Sequence, residues 1–510
     1  MKTNLKNISR DRYTWYNCTG NVKVSPLRFF YPRTKEQIAE IVREAERREL
    51  RVRAVGSGHS FSEAAKGKDF LLSMKRMAGV SRPHKETLRT KFREMPLVSA
   101  QAGIVIRRLN RTLDRMGLAL INMGVIDVQT LSGAIMTGTH GTGIGKPTMP
   151  DMVRSLKLVG TGGRFFQIEP TDGITDPDQH GSTNPIELIQ DDDTFYSTIL
   201  SFGGMGIIYE MTLEVKPQYK MLERRYLKPW SELEQELRNG SFMRQLKQKD
   251  FMAFRINPYK VSKGNRCAVV EQDIVGPDEK PRRLFALRKN LIFQIFSNLE
   301  FLIEGSVRRF RNSPNAVAKT IQLGLWSTKD TCYYGPSYKV LYQAGTAVLR
   351  HGISAEFAFE ATGEKVIEVI NAIIDQTKKN KDENGLYQSS YVSVRFVAPS
   401  RAYLSSAYDR ATVYVDIPLL FGTIGDLEIL ERYQDLMIDM GGIPHWGKHN
   451  LQLYLRNDFI REQFARVGTW MAIRDRLDPK KTFLNDFIIK MGLGSKKAKR
   501  KAARLQKTGV

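Results

Sequence analysis

The sequence has little of what would place it in several common protein classes. Its 510 residues contain three cysteines, Cys18, Cys267 and Cys332, which are too scattered to suggest a zinc site or a disulfide framework. No run of about 18 apolar residues occurs, and the N-terminal segment lacks the apolar core of a secretory signal. These absences favour a globular protein in a reducing compartment, which we expect to be the cytoplasm.

The two commonest nucleotide-binding motifs are also missing. No G-x-G-x-x-G joins a first strand to a first helix with an acidic residue about twenty positions further on, and there is no Walker A motif. A nucleotide cofactor would therefore need a different fold. We predict no metal site.

Positive charge is what the sequence has in excess. The formal net charge is +25, and it is still about +18 without the seven basic residues of the C-terminal run Ser495–Lys507. Such a surface attracts phosphates, anionic lipid or nucleic acid without giving specificity. The C-terminal run is either a solvated extension or a contact for an anionic surface.

Hydrophobic periodicity predicts alternating strands and helices in the first 220 residues. Thr34 and Gln37 form a capping box, after which apolar residues repeat at helical spacing. The predicted elements are a helix over about 35–48, strands at Arg51–Val55 and Leu97–Ala102, a helix over Ile104–Met116 and a half-buried strand over Ile207–Lys216. Pro217 ends this strand, so we place a domain boundary near residue 220.

Beyond residue 220 the pattern changes to strands with few helices. The predicted strands are Phe251–Ile256, Cys267–Gln272, Ala355–Ala361, Tyr391–Val397 and Thr412–Ile417, with one helix at about Glu364–Lys378. This arrangement favours an α+β layer with an antiparallel sheet covered on one side. Residues 282–311 form a basic amphipathic insert, which either packs on this domain, lies on an anionic membrane or contacts another subunit.

Two glycine-rich segments carry most of the functional signal. In Arg53–Ser62 a strand ends in the turn Gly56–Ser60, whose successive N–H groups can bind an anion such as a pyrophosphate. Ser132–Gly145 holds five glycines among small residues, a density that indicates a large ligand lying against the backbone. Together the two segments predict a sizeable, flat cofactor that carries phosphate.

Four motifs occur in an order that resembles a known enzyme group. They are RVRAVGSGHSFS (Arg51–Ser62), TGTHGTG (Thr137–Gly143), GGMGIIYEMTL (Gly203–Leu213) and PHWGK (Pro444–Lys448). Their order and spacing are similar to those of the aldonolactone and alditol oxidases, FAD-linked enzymes of the vanillyl-alcohol-oxidase type. The resemblance implies an α+β fold in which a PCMH-type, two-subdomain FAD-binding domain is joined to an α+β cap domain with an antiparallel sheet. The implied divisions are an N-terminal extension (1–21), the FAD-binding domain (22–220), the cap domain (221–430), a segment returning to the flavin (431–493) and a basic tail (494–510).

The resemblance implies FAD as the cofactor, bonded covalently through its 8α-methyl carbon to His59. An imidazole nitrogen is a competent nucleophile for that carbon, although His59 could instead cap its turn. His140 is implied to lie at the cofactor, where it either orders its own loop or takes part in the chemistry. The other residues implied to bind FAD are Gly56, Ser57, Gly58, Ser60, Gly133, Thr137, Gly138, Thr139, Gly141, Thr142, Gly143, Gly206 and Ile207.

The catalytic residues that the resemblance implies are Arg395 and Lys448. Arg395 points away from the apolar face of its strand, so it needs a ligand or an acid; from the residues alone, a buried ion pair is equally open. Lys448 is either a base with a lowered pKa or a cation that stabilises a developing alkoxide. Ser393 and His445 are implied to bind substrate, although Ser393 stands where alditol oxidases have a glutamate and should hold a polyol more weakly.

The expected activity is oxidation of a CH–OH group in a sugar lactone or polyol-like alcohol. Hydride passes to flavin N5, and O2 reoxidises the flavin to give hydrogen peroxide. The alternative is a flavin dehydrogenase that uses another acceptor and a larger or more apolar alcohol. The rival from a different class is a basic membrane- or nucleic-acid-binding protein with a non-catalytic flavin fold, and of these two partners we expect nucleic acid the less.

Overall fold

The computed structural model describes residues 4–181, 184–261, 264–276, 314–326, 332–343, 352–420 and 422–494. The basic amphipathic insert 282–311 and the tail beyond Gly494 lie outside these residues, and what was expected of them stays a prediction. In the described part of the chain, no helix is both long and apolar enough to cross a membrane.

The described residues form strands throughout and helices mainly between them. In chain order the strands are β1 (Ser9–Arg10), β2 (Trp15–Tyr16), β3 (Lys23–Val24), β4 (Arg28–Phe30), β5 (Val52–Val55), β6 (Phe70–Ser73), β7 (Val80–Ser81), β8 (Leu97–Gln101), β9 (Leu118–Ala119), β10 (Val153–Val159), β11 (Phe165–Glu169), β12 (Ile186–Gln190), β13 (Ile207–Glu214), β14 (Lys216–Pro217), β15 (Lys220–Pro229), β16 (Phe251–Ile256), β17 (Arg266–Val275), β18 (Cys332–Pro336), β19 (Gly352–Glu360), β20 (Val392–Val397), β21 (Thr412–Leu420) and β22 (Ile443–Pro444). The α-helices are α1 (Lys35–Arg47), α2 (Ile106–Arg115), α3 (Leu131–Met136), α4 (Pro177–His180), α5 (Asp192–Thr198), α6 (Trp230–Arg238), α7 (Ser241–Gln248), α8 (Pro314–Trp326), α9 (Ser337–Leu341), α10 (Gly363–Asn384), α11 (Asp426–Asp439), α12 (Asn457–Gln463), α13 (Val467–Leu477) and α14 (Asp486–Ile488).

Two large sheets are built from residues before 215, besides the two-stranded ribbon β2-β3. The first has the strand order β1-β4-β6-β5, with β4 and β5 parallel to β6. The second has the order β12-β11-β10-β13-β8-β7 and is antiparallel except where β11 meets β12. These sheets form the two subdomains expected of a PCMH-type FAD-binding domain.

The third sheet is antiparallel and follows residue 219. Its order is β18-β15-β17-β16-β20-β21-β19-β22. On one face, Phe254 and Phe396 pack against Trp230 and Phe242 from α6 and α7. Because side chains alternate along a strand, Arg395 faces the opposite side, toward the first two sheets. The expected α+β fold is confirmed.

The helices and strands predicted from periodicity are present in the structure, and they differ from the predictions in where they begin and end. Helix α2 begins at Ile106, two residues later than predicted, because Val105 is still extended. β13 stops at Glu214, since Lys216–Pro217 pairs with β9 instead. Helix α10 runs to Asn384, where Gly385 ends it in the left-handed conformation with φ of 64°.

The C-terminal segment returns to the first sheet. Phe61 N donates to Gly447 O (2.8 Å), and Val52 N donates to Thr482 O (2.7 Å). Ser62 Oγ donates to Trp446 O (2.7 Å). These bonds place the PHWGK motif beside the first glycine-rich turn. The predicted boundary near residue 220 coincides with the start of β15, and the division into domains stays a prediction.

Candidate active site

A cavity of about 1620 Å³, counted with its open mouth, lies where the three sheets meet. The predicted site residues that line it are Gly56, Ser57, Gly58, His59, Ser60, Gly133, Thr137, Thr139, His140, Gly206, Ile207, Arg395, His445 and Lys448.

The turn Gly56–Ser60 presents free backbone donors to the cavity. It follows β5, and Gly58 allows the bend because its φ of 76° is in the left-handed region. Among the described residues, no protein atom accepts a hydrogen bond from the amides of Ser57, Gly58, His59 and Ser60. Successive unpaired N–H groups of this kind suit an anion such as a pyrophosphate.

His59 is held as a neutral imidazole at the cavity wall. Burial lowers the pKa of its ring below the ordinary value. In the part of the chain that the structure describes, neither ring nitrogen makes a hydrogen bond, so His59 does not cap its own turn. An unprotonated and unpaired nitrogen is the form that can attack carbon.

Five predicted site residues do not line the cavity: Gly138, Gly141, Thr142, Gly143 and Ser393. A Cβ at Gly141 would lie 2.1 Å from Asn122 Oδ1, and one at Gly143 would lie 2.7 Å from Asp250 O. Thr142 Oγ1 donates to Met252 O of β16 (2.7 Å). Packing against Asn122 and the third sheet therefore already requires small residues at 141 and 143, and the assignment of these five residues to the cofactor or substrate stays a prediction.

Four charged side chains meet at the cavity floor, three from strands of the third sheet and one from the loop after β22. Arg395 of β20 forms an ion pair with Glu356 of β19, and its Nη2 lies 3.7 Å from Asp416 Oδ2 of β21. Lys448 Nζ donates to Asp416 Oδ1 (3.1 Å) and to Ser354 Oγ (2.8 Å), and lies 3.5 Å from Glu356 Oε2. The result is two cations interleaved with two carboxylates.

Electrostatics keep Glu356 ionised. Burial alone would raise its pKa, but Arg395, Lys448 and His140 hold the pKa of this carboxyl well below its ordinary value. The Nε of Arg395 is buried and donates to no atom of the described residues. Buried donors without a partner are rare in proteins, so this one marks a strained point of the charged cluster.

His140 joins its loop to the third sheet. Its ring stacks on Tyr414 at 3.6 Å, its Nδ1 lies 3.0 Å from Gly141 O, and its Nε2 lies 3.2 Å from Glu356 Oε1. Burial lowers the pKa of His140, and burial lowers that of His445 to about 3. Both imidazoles are therefore neutral near pH 7. His140 thus both contacts its own loop, at Gly141, and touches the charged cluster, at Glu356.

The sequence interpretation missed Glu356, Asp416 and Ser354, which surround Arg395 and Lys448. The signal was present, because Glu356 is an acid inside the otherwise apolar strand GISAEFAF. One ligand atom each from His140, Glu356 and His445 falls within 4.8 Å of the others, but Arg395 and Lys448 already occupy this carboxylate. We assign no metal there.

These observations fit the FAD that the motifs imply. The free amides of the Gly56–Ser60 turn would hold the pyrophosphate, and the neutral His59 ring stands at the cavity wall. Beyond it, Arg395 and Lys448 supply positive charge at the end where a substrate would meet the flavin.

Comparison with known proteins agrees with this placement. Residues 26–169 match the family described as "FAD binding domain", and residues 211–491 match "D-arabinono-1,4-lactone oxidase". The L-gulono-1,4-lactone dehydrogenase of Mycobacterium tuberculosis is 26% identical over 480 residues, covering 93% of this chain and 97% of the relative. The L-gulonolactone oxidase of Scyliorhinus torazame is 26% identical over 491 residues, covering 94% and 98%.

Solved structures share the fold. The cholesterol oxidase from B. sterolicum is similar with a TM-score of 0.72 at 15% identity, covering 95% of this chain and 98% of that one. Physcomitrella patens BBE-like 1 is similar with a TM-score of 0.59 at 12% identity, covering 93% and 92%.

Proposed function

Because the chain belongs to the D-arabinono-1,4-lactone oxidase family, we propose that it oxidises a CH–OH group of a sugar lactone with FAD. The resemblance read from four motifs is confirmed, and the protein is an FAD-dependent oxidoreductase. The observation that carries the proposal is the interleaving of Arg395, Glu356, Lys448 and Asp416 at the cavity floor. The relatives named above act on lactones, which favours a lactone over an open-chain alditol.

Bound FAD supplies the hydride acceptor. We assign Lys448 the role of a charged group, because its ammonium donates to the Asp416 carboxylate and the Ser354 hydroxyl and lies 3.5 Å from Glu356 Oε2. Lys448 and the guanidinium of Arg395, which both line the cavity, then stabilise the negative charge that develops on the carbinol oxygen. Asp416, whose side chain lines the cavity beside Lys448, is the candidate proton acceptor, because the strongly lowered pKa of Glu356 makes that carboxylate the weaker base.

A substrate panel tests this proposal. Purified holoenzyme is assayed with an artificial electron acceptor on D-arabinono-1,4-lactone, L-gulono-1,4-lactone and xylitol. We expect the highest kcat/KM with one of the lactones. Turnover of xylitol alone would overturn the choice of substrate class.

The covalent bond between His59 and FAD is also a proposal. Acid precipitation should leave the yellow colour in the protein pellet, whereas the His59→Ala variant should release it to the supernatant. His84→Ala is a matched control on a histidine outside the cavity lining. Acid-stable flavin in His59→Ala would show that the attachment site is wrong.

For the electron acceptor we propose O2, with hydrogen peroxide as product. A relative at the same identity is called a dehydrogenase, so an acceptor other than O2 is the second candidate. Oxygen uptake with stoichiometric peroxide during lactone turnover supports the oxidase. Full turnover with a dye acceptor and no oxygen uptake supports the dehydrogenase.

A cytoplasmic location, and a contact of the insert 282–311 or the tail with anionic membrane, stay proposals. Flotation of the purified protein with vesicles containing phosphatidylserine tests the contact. Binding that disappears on deletion of residues 495–510 would assign it to the tail, and binding that persists would point to the insert.

A further inference from the structure

The face of the third sheet that carries the catalytic cluster extends beyond it to a second group of charged residues. Register places Arg255 of β16 opposite Ser393 of β20, Ser393 opposite Asp416 of β21, and Asp416 opposite Glu356 of β19. Residues that pair directly across strands share a face. Arg255 therefore lies on the cavity side, two strands from Asp416, which corresponds to about 10 Å.

The cavity wall reaches this second group. Gln343 N donates to Val125 O (3.0 Å), and Val125 lines the cavity. The side chain of Gln343 accepts from Arg225 Nη2 (2.6 Å) and lies 3.4 Å from Arg255 Nη2. The guanidinium of Arg255 is thus one side chain away from the wall of the cofactor and substrate cavity.

Arg255 differs from the other cations of this face in making no direct ion pair with a carboxylate of the described residues. Arg225 pairs with Glu223 (2.9 Å), and Arg395 and Lys448 share Glu356 and Asp416. Glu223 also acts on Arg255, but only through its charge, and within the described ranges the polar contacts of Arg255 are with Gln343 and with the ring of Tyr391, whose centre lies 5.0 Å from the guanidinium carbon. Among the described residues of this face, four cations therefore stand against three carboxylates, and Arg255 is the cation without a direct partner.

A guanidinium withdrawn from water without an anion is unfavourable, and burial accordingly lowers the pKa of Arg255. The site is nonetheless not closed off completely, since Ala253, Arg255, Tyr391 and Ser393 are each half-buried although they lie at or near the middle of the sheet. A charged donor without a direct ion pair, on the face that carries the catalytic cluster, can receive an anionic ligand group.

We propose that Arg255 binds an anionic group, a carboxylate or a phosphate, at the end of the substrate remote from the oxidised carbinol. This inference rests on the proposed function, because it assumes that the carbinol lies at Arg395 and Lys448. Arg255 is then a specificity residue that selects acidic or phosphorylated sugar derivatives over neutral ones. Ser393, which sits between the two sites, leaves the path between them free of a bulky side chain.

Calorimetric titration of the oxidised holoenzyme tests the proposal with three ligands that share a five-carbon chain. Ribitol is neutral, D-ribonate adds a carboxylate, and ribitol 5-phosphate adds a phosphate. We expect the wild type to bind at least one anionic ligand about tenfold more tightly than ribitol, as for a hydrogen-bonded charge pair. The tighter of the two anions identifies the chemical group.

Arg255→Gln should remove this preference and leave ribitol binding within about twofold of wild type. Arg224→Gln is the matched control, because Arg224 is exposed on the opposite face of the sheet, in β15, two strands away from β16. This variant should bind all three ligands like wild type. If Arg255→Gln does not fold with its flavin, Arg255→Lys takes its place. Lysine keeps the charge without the planar fork, so the preference should shrink without vanishing.

Two results would overturn the proposal: no anion preference in the wild type, or a full preference in both Arg255 variants. Binding heat requires no turnover, so failure of the proposed function has a different signature. In that case lactones would fail to reduce the flavin while the Arg255-dependent preference remained.

Discussion

At the residue scale, the two cations of the candidate active site share one buried carboxylate, Glu356. It pairs with Arg395, lies 3.5 Å from Lys448 and contacts His140 at 3.2 Å. A carboxylate in this position fixes the direction of both cationic groups. It also offsets the cost of burying them.

Replacing Glu356 by glutamine keeps the shape and removes the charge. We expect the rate of flavin reduction by a lactone to fall by about 100-fold, because Arg395 and Lys448 lose their shared anion and their orientation. The free energy of unfolding should fall by about 3–5 kcal/mol, as for a broken buried ion pair. Stopped-flow absorbance and urea denaturation measure the two effects.

Glu360→Gln controls for this substitution on the same strand, where the side chain is exposed at the end of β19. It should leave both quantities near wild type. If a lactone reduces the flavin of Glu356→Gln at the wild-type rate, Glu356 does not orient the two cations for catalysis.

Some residues of the candidate active site can be predicted from the sequence and others cannot. The motifs identify His59 and Lys448, the family resemblance identifies Arg395 on its strand, and all three line the cavity. Glu356 and Asp416 sit in no motif that was recognised, and only the pairing of β19, β20 and β21 brings them to Arg395. The spacing from Arg395 predicts Ser393 in the substrate site. The acidic side chains beside Arg395 are instead Glu356 of β19 and Asp416 of β21.

At the element scale, the turn after β5 depends on Gly56. A Cβ there would lie 2.0 Å from Thr130 Oγ1, so Gly56→Ala forces the turn away from the loop before α3. We expect a loss of about 1–3 kcal/mol in the free energy of unfolding and weaker retention of flavin, since the turn carries the free amides. Thermal unfolding and the flavin-to-protein absorbance ratio measure these changes.

Gly145→Ala is the matched control from the second glycine-rich segment, because nothing lies within 4 Å of a Cβ there. The double variant Gly56→Ala, Thr130→Ala should recover part of the loss, as neighbouring sites are coupled. A Gly56→Ala protein as stable as Gly145→Ala would contradict the packing argument.

The end of α13 carries a titratable group that links stability to pH. Burial raises the pKa of Asp478 from 3.8 to about 6, although the amides of Thr482 and Phe483 donate to it. A raised folded-state pKa means that the stabilisation is fully present below the unfolded value and is lost as pH rises through about 6. Between about pH 4 and pH 7, the wild type should lose about 3 kcal/mol relative to Asp478→Asn.

Chemical denaturation of both proteins across this pH range measures that difference. Asp475→Asn, on an exposed carboxylate three residues earlier, should show no comparable trend. A constant difference between wild type and Asp478→Asn would mean that Asp478 keeps its ordinary acidity in the folded protein.

At the scale of the whole molecule, periodicity predicted the elements and the motifs predicted the fold. Sequence patterns located β13, β16, β20 and β21, although in the folded protein most residues on both faces of these strands are buried. The pairing of strands far apart in sequence could not be read from periodicity, since any half-buried strand can pair with any other. Periodicity also could not predict that the C-terminal segment returns to the first sheet, where Thr482 and Gly447 accept backbone hydrogen bonds.

The account as a whole requires that the cavity between the three sheets holds FAD and brings a lactone to it. Anaerobic mixing of the purified protein with D-arabinono-1,4-lactone or L-gulono-1,4-lactone, followed by the visible absorbance of the flavin, tests this most directly. We predict that the flavin band is present before mixing and bleaches in a single turnover with at least one of the two lactones. A folded protein that carries no flavin, or whose flavin stays oxidised with both lactones, would contradict the account.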